Sequence, residues 1–216
     1  MKPPRDGYWP IPVMWPGATV VCIAGGPSLT LTQVRRVAIA RLEERCRVIA
    51  VNDAIYVAWF ADWLHATDNK WWTWHRLSAT KFGGIKTAIA DGLPAGWGVK
   101  ILRNANGEGG QMGGFSEAPD TIHPGGNGGY QAVQMAAKAG GCRIPLLGFD
   151  MRFGPADESH WHGDHPDGMR SDYVNTMLPW WPSLVEPLKA RGVEVINCSP
   201  GSAIECFPRA NIEDVL

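Results

Sequence analysis

Short runs of aliphatic and β-branched residues alternate along the chain with segments whose apolar residues recur at helical spacing. The first run, residues 19–23, leads through a glycine-containing turn into residues 31–45, where the spacing predicts an amphipathic helix. Further strands are predicted at 47–52, 63–67, 85–90, 98–102, 143–148 and 193–197. This alternation is typical of a parallel sheet with helices on both faces, and it predicts an α/β fold: a Rossmann-like three-layer α/β/α arrangement with a mainly parallel sheet.

The segments between these strands predict further helices and two long loops. Residues 70–76 and 130–138 have helical patterns, and a helix broken at Pro179 and Pro182 precedes the last strand. The glycine-dense stretch 104–114 predicts a loop. A second loop, 151–172, contains several histidines and glycines, and we expect it to be mobile. The 216 residues are expected to form one domain, since 45% of them are hydrophobic and can build one core.

The turn after the first strand is the first candidate site. Gly25 and Gly26 let the backbone approach an anion, Pro27 stiffens the turn, and Ser28 has a hydroxyl that can cap a helix or bind a phosphoryl oxygen. A helix N-terminus after a strand presents free N–H groups, so a nucleotide phosphate is the first hypothesis. The alternative is an ordinary strand-to-helix turn capped by Ser28.

Polar residues also follow several other predicted strands. In a parallel sheet the carboxyl ends of the strands share one edge, where ligands bind, although Asn and Asp also form turns there. A second glycine-rich turn, residues 125–129, opens a predicted helix and offers N–H donors in the same way, unless its glycines only allow close helix packing. The further candidate residues at these positions are Asn52, Asp53, Asp68, Asn127, Gly128, Gly129, Asp150, Asn197 and Ser199.

The segment 160–165 reads His-Trp-His-Gly-Asp-His, the metal signature of metallo-β-lactamase-type hydrolases. Those enzymes need further histidine ligands downstream, and this chain has no histidine after His165. Three histidines could still hold one zinc ion, but the prediction is that no metal is bound. His160, His162 and His165 are instead candidates for a general base, because imidazole titrates near neutral pH.

Charge and composition restrict the function classes. The net charge is −1 and the charges are scattered, which argues against duplex nucleic acid as a partner and favours a small polar ligand. No apolar run is long enough to span a bilayer, so we expect no membrane span and a cytoplasmic location. The five cysteines form no CxxC pair; they are expected to be reduced, with Cys22, Cys142 and Cys198 in strands. The tryptophans at 71, 72 and 74 are expected to fill a core or to form a homo-oligomer interface.

Several of these short segments together resemble a known superfamily. They are the Gly-Gly-Pro-Ser-Leu turn, Val-Asn-Asp at 51–53, Ala-Thr-Asp at 66–68, Asn-Gly-Gly-Tyr at 127–130 and Leu-Gly-Phe-Asp at 147–150. The chain resembles the superfamily of small bacterial CMP-sialic-acid-dependent sialyltransferases and archaeal 6-hydroxymethylpterin diphosphokinase-like proteins. Residues 160–166 and 197–203 look more like bacteriophage-encoded members, which suggests a phage protein in the host cytoplasm.

The resemblance implies a Rossmann-like fold, no required metal, and a nucleotide held by the first turn, Asn52 and the Asn127 turn. It also implies that a histidine after Asp150 deprotonates the acceptor hydroxyl. The leading hypothesis is therefore a glycosyltransferase-like enzyme that uses a nucleotide-activated donor. One alternative is a pterin-type diphosphokinase, which would need Mg²⁺ on Asp53, Asp68 and Asp150. The other is a non-catalytic phage protein that binds a nucleotide or a host partner.

Overall fold

The structure, a computed structural model, describes residues 7–108, 112–162 and 172–216. The strands in these ranges are β1 Val20–Ile23, β2 Arg47–Val51, β3 Trp63–His65, β4 Ile85–Ala88, β5 Lys100–Ile101, β6 Arg103–Asn104, β7 Thr121–Ile122, β8 Arg143–Leu147 and β9 Glu194–Asn197. Seven of them form one sheet in the order β5-β4-β3-β2-β1-β8-β9, and every neighbouring pair is parallel. The strands β6 and β7 form a separate parallel pair. The predicted parallel α/β sheet is confirmed.

The helices of the described ranges are α1 Leu31–Leu42, α2 Asn69–Trp74, α3 Arg76–Ala79, α4 Gly128–Lys138, α5 Val185–Ala190 and α6 Ile212–Val215. A 3₁₀ turn at Asn52–Tyr56 follows β2, and a π-helical turn at Tyr173–Met177 runs into a 3₁₀ segment at Leu178–Leu184. Pro179 and Pro182, where a broken helix was expected, lie in this 3₁₀ segment, and regular α-helix begins at α5.

Alternating side chains of β1 point to opposite faces of the sheet. Val20 and Cys22 belong to the core that contains α4 and α5, whereas Val21 and Ile23 belong to the core that contains α1, α2 and α6. All four side chains are fully buried, because β1 is central and covered on both sides. The fold is therefore a Rossmann-like three-layer α/β/α arrangement, as the sequence predicts.

The chain order reverses beside β1. From β1 the chain moves outward through β2, β3, β4 and β5, and it returns through α4 to place β8 on the other side of β1. Such a reversal opens a crevice at the carboxyl edge of a parallel sheet. The carboxyl ends of β1 and β8 flank this position.

Two details differ from the predictions. Helix α1 ends at Leu42 rather than at residue 45, and Glu44 then takes a positive φ of 57°. Of the cysteines expected in strands, only Cys22 lies in one; Cys142 precedes β8 and is exposed, and Cys198 follows β9. None of the helices in the described ranges is long and apolar enough to cross a membrane.

Candidate functional site

A cleft of about 660 Å³ lies at the carboxyl edge of the sheet. The ends of β1, β2, β3, β4 and β8 all contribute to it, together with the first turn of α4 and the segment that carries His160 and His162. The sequence-predicted residues that line it are Gly25, Gly26, Asn52, Asp53, Asp68, Asn127, Gly128, Gly129, Asp150, His160 and His162. The structure thus brings most of the predicted positions to one place.

The first glycine turn is built differently from the prediction. The Gly26 N–H donates to the Gly148 carbonyl at 2.8 Å, and the Ser28 N–H donates to Asp150 Oδ1 at 3.1 Å. The interpretation of Ser28 as a helix cap was wrong, since Thr30 caps α1 in a capping box with Gln33. Most amides of this turn are therefore already used within the protein, and Pro27 and Ser28 are not among the lining residues.

Asp150 holds the turn in place. Its Oδ2 accepts a hydrogen bond from the Ser28 hydroxyl at 2.9 Å, so both carboxylate oxygens bind Ser28. Burial raises the pKa of Asp150 above its usual value, and the Ser28 hydrogen bonds oppose this shift. A Cβ at Gly26 would overlap the Asp150 carboxylate and the Gly148 carbonyl. The glycine at 26 makes room for Asp150, which explains it without any phosphate.

Three side chains contact the Asp53 carboxylate in the cleft. Asp53 is 6% exposed and lies in the 3₁₀ turn after β2, directly after Asn52, whose φ of 52° is unusual for a residue other than glycine. The Trp71 N–H donates to Asp53 Oδ1 at 3.2 Å, and His75 Nε2 lies 3.3 Å from the same oxygen. His162 Nε2 lies 3.4 Å from Oδ2. The buried carboxylate thus faces two imidazoles.

His160 and His162 lie side by side in the cleft. Their rings are stacked, with centroids 5.1 Å apart and planes at 2° to each other, as expected for alternate residues of an extended segment. The backbone N–H of Trp161, between them, donates to the Gly25 carbonyl at 3.1 Å and joins this segment to the first turn. His162 Nε2 lies beside the Asp53 carboxylate, and a general base commonly has such a neighbour. His165 lies outside the described residues.

The first turn of α4 enters the cleft from the second glycine turn. Asn127 is the N-cap, and its side chain accepts a hydrogen bond from the Tyr130 N–H at 2.8 Å. Helix geometry leaves the Gly128 and Gly129 N–H groups without intrahelical acceptors. A Cβ at Gly128 would lie 3.0 Å from Val51 Cγ1, and one at Gly129 would lie 2.7 Å from Phe149. These glycines allow close packing and line the cleft.

A buried polar network fixes α4 on the sheet. The Gln131 Nε2–H donates to the Pro124 carbonyl, which leaves Gln131 Oε1 facing His65 Nε2 at 2.6 Å. Because an amide oxygen only accepts hydrogen bonds, His65 Nε2 must carry a proton. His65 Nδ1 then accepts from Thr87 Oγ1, 2.9 Å away. Burial lowers the pKa of His65 to about 4, so the ring is neutral at pH 7. The Thr67 hydroxyl also donates to Gln131 Oε1, at 3.0 Å.

Sequence reasoning missed several lining residues. They are Thr67, Asn104, Asn106, Gln131, Asp172, Tyr173 and Thr176. Thr67 adjoins Asp68, and Asp172 ends the predicted loop 151–172. The others lie in β6, in the turn after it, on α4 and in the π-helical turn, where no motif marked them. Asn197 and Ser199 were expected at this edge but do not line the cleft: the Ser199 hydroxyl accepts from the Phe149 N–H, and the Asn197 amide donates to the Ile204 carbonyl.

The cleft is rich in carboxylates. Asp53, Asp68, Asp150 and Asp172 line it, and no Lys or Arg is among the described lining residues. Asp53 faces two imidazoles, Asp150 binds Ser28, and Asp172 accepts hydrogen bonds from Asn175. In the part of the chain that the structure describes, no three His, Cys, Asp or Glu side chains form a metal-binding group. Asp164 and His165 lie outside that part, and the expected independence from metal stays a prediction.

Comparison with known proteins gives a structural neighbour. No protein-family model matches the sequence, and no curated protein matches it either. The fold is similar to that of the MAf glycosyltransferase from Magnetospirillum magneticum AMB-1, with a TM-score of 0.63 and 15% sequence identity. The match covers 97% of this chain and 36% of that protein, so the chain spans about a third of its length. At this identity the similarity establishes the shared fold.

Proposed function

We propose that this protein is a glycosyltransferase-like enzyme that binds a nucleotide-activated sugar in the cleft. The observation that carries the proposal is the meeting of two features in one cleft: the α4 N-terminus with its glycine amides, and His162 beside a buried carboxylate. The N-terminus of a helix binds phosphate groups, and a histidine beside a carboxylate can act as a general base. The fold shared with a glycosyltransferase supports the same class.

In this mechanism the amides of Gly128 and Gly129 and the positive end of the α4 dipole bind the donor phosphate. His162 takes the proton of the acceptor hydroxyl while the acceptor oxygen bonds to the anomeric carbon of the donor sugar. The bond from that carbon to the phosphate oxygen breaks, and the nucleotide leaves with the electron pair. Asp53 stabilises the imidazolium that forms, as a carboxylate next to a catalytic histidine does. CMP-linked donors are the first to test, because the sequence resembles sialyltransferases.

The experiment combines binding and turnover. Titration calorimetry with CMP, UDP and their sugar conjugates measures affinity, and release of free nucleotide measures turnover. His162→Ala is expected to lower turnover about a hundredfold or more with the affinity nearly unchanged. His160→Ala is the matched control, because the His160 ring stacks on the His162 ring from the same segment, and its loss of turnover is expected to be smaller. Absence of binding by every nucleotide at millimolar concentration would contradict the proposal.

The acidic lining favours a second candidate. Carboxylates next to a phosphate site bind Mg²⁺ in phosphoryl-transfer enzymes, so a pterin-type diphosphokinase would use Asp53, Asp68 and Asp150 in this way. The same assays, run with EDTA or with Mg²⁺, distinguish the two candidate functions. Turnover that requires Mg²⁺ and transfers a diphosphate to a hydroxymethylpterin would establish the second candidate in place of the first. Nucleotide binding without any turnover would instead indicate a non-catalytic nucleotide-binding protein.

A further inference from the structure

The side chains around Asp53 form a connected group that extends from the cleft to the protein surface. We call Tyr56, Trp71, His75 and His162, together with Asp53, the Asp53 network. The Tyr56 hydroxyl lies 2.6 Å from His75 Nδ1, and Tyr56 is 48% exposed. On the other side of Asp53, His162 lines the cleft. His75 does not line the cleft, so it has no part in binding a ligand there directly.

The chemistry of its two neighbours favours one tautomer of His75. An ionised carboxylate only accepts hydrogen bonds, so Asp53 Oδ1, 3.3 Å from His75 Nε2, favours a proton on that nitrogen. In the neutral ring Nδ1 is then an acceptor, and the Tyr56 hydroxyl donates to it. The Trp71 ring stacks on one face of the His75 ring, with centroids 4.7 Å apart and planes at 26°. The Trp71 indole N–H donates to Asp53 Oδ1 as well. Asp53 Oδ1 is thus held from two sides.

Fixing Oδ1 also fixes Oδ2, because a carboxylate is planar and rigid. Oδ2 is the oxygen that faces His162 Nε2, and a carboxylate there favours the neutral tautomer with its proton on Nε2 and its basic lone pair on Nδ1. We propose that His75, oriented by Tyr56, is a positioning residue that sets the Asp53 carboxylate and thereby the tautomer of His162. This rests on the proposed function in so far as His162 is the base.

Two-bond ¹H–¹⁵N NMR spectra of the histidine rings test the structural half without any substrate. They distinguish the Nε2–H and Nδ1–H tautomers of a neutral imidazole. Wild-type His162 is expected to show the Nε2–H form, and His75→Leu and Tyr56→Phe are expected to mix in the other form. His75→Gln is expected to keep the wild-type pattern, because its amide can donate to Asp53 and accept from Tyr56. Trp59→Phe, an exposed aromatic on the same segment as Tyr56, is the control and should change nothing.

Kinetics test the functional half. His75→Leu is expected to lower kcat roughly tenfold to a hundredfold with the donor KM unchanged, and His75→Gln is expected to restore most of that loss. If His75→Leu does not fold, Tyr56→Phe decides, since it removes one surface hydroxyl. An unchanged His162 tautomer in Tyr56→Phe and His75→Leu would overturn the inference. If the tautomer shifts but the wild-type protein turns over no donor, the positioning role stands and the proposed function fails.

Discussion

At the scale of single residues, His65 is a titratable side chain that the fold keeps neutral. It is fully buried between Thr87 and Gln131, and its pKa is lowered to about 4 because burial disfavours the imidazolium. An unfolded histidine titrates near 6.5. Between these values the unfolded chain binds more protons than the folded one. The stabilisation is therefore complete above about pH 6.5 and is lost as the pH falls toward 4.

This predicts a loss of roughly 3 kcal/mol in the free energy of unfolding between pH 6.5 and 4 from His65 alone. Urea denaturation across this range measures the total slope. His65→Gln, which has no titrating group, is expected to start from a lower stability at pH 7 and to lack this part of the slope. The difference between the two curves isolates His65 from the carboxylates that titrate in the same range. Parallel curves for the two proteins would mean that His65 is not buried as described.

At the scale of elements, the N-terminus of α4 has both a structural and a ligand-binding role. Asn127→Ala removes the cap and is expected to cost about 1 kcal/mol of stability. It should also weaken nucleotide binding, since the cap orients the first turn of α4, which lines the cleft. Chemical denaturation and calorimetry measure the two effects.

Thr30→Ala is the matched control for this variant. Thr30 caps α1 through Gln33 but does not line the cleft. Thr30→Ala is expected to lower the free energy of unfolding by a similar amount and to leave the nucleotide affinity within error of the wild type. If both variants weaken binding equally, the effect comes from general destabilisation and α4 has no special part in binding.

Elements are also the scale at which the sequence was most informative. Buried strands such as β1 and β8 are continuous apolar runs, so their position, the parallel sheet and the shared carboxyl edge could be predicted. The Asp53 network could not, because it joins residues 53, 56, 75 and 162, whose proximity depends on tertiary packing. For the same reason the turn at Gly26 was misread. Nothing local shows that Gly148 and Asp150, over a hundred residues away, accept hydrogen bonds from the Gly26 and Ser28 amides.

At the scale of the whole molecule, the cleft belongs to no single element. Five strand ends, α4 and the histidine segment contribute to it, and both cores meet in these strands. A ligand bound there contacts residues that are brought together only in the folded chain. The unfolded chain cannot form the site, so binding must stabilise the whole fold rather than one loop.

This linkage gives the last prediction. A nucleotide present at a hundred times its Kd should stabilise the protein by about 2.7 kcal/mol. For a domain of this size that raises the Tm by roughly 5–10 °C. Scanning calorimetry with increasing CMP or UDP measures the shift, and Asn127→Ala should need more nucleotide for the same increase, whereas Thr30→Ala should follow the wild-type dependence from a lower starting Tm. A ligand that binds by titration yet leaves the Tm unchanged would have to bind the unfolded chain equally well, which a site assembled from separate segments of the chain does not allow.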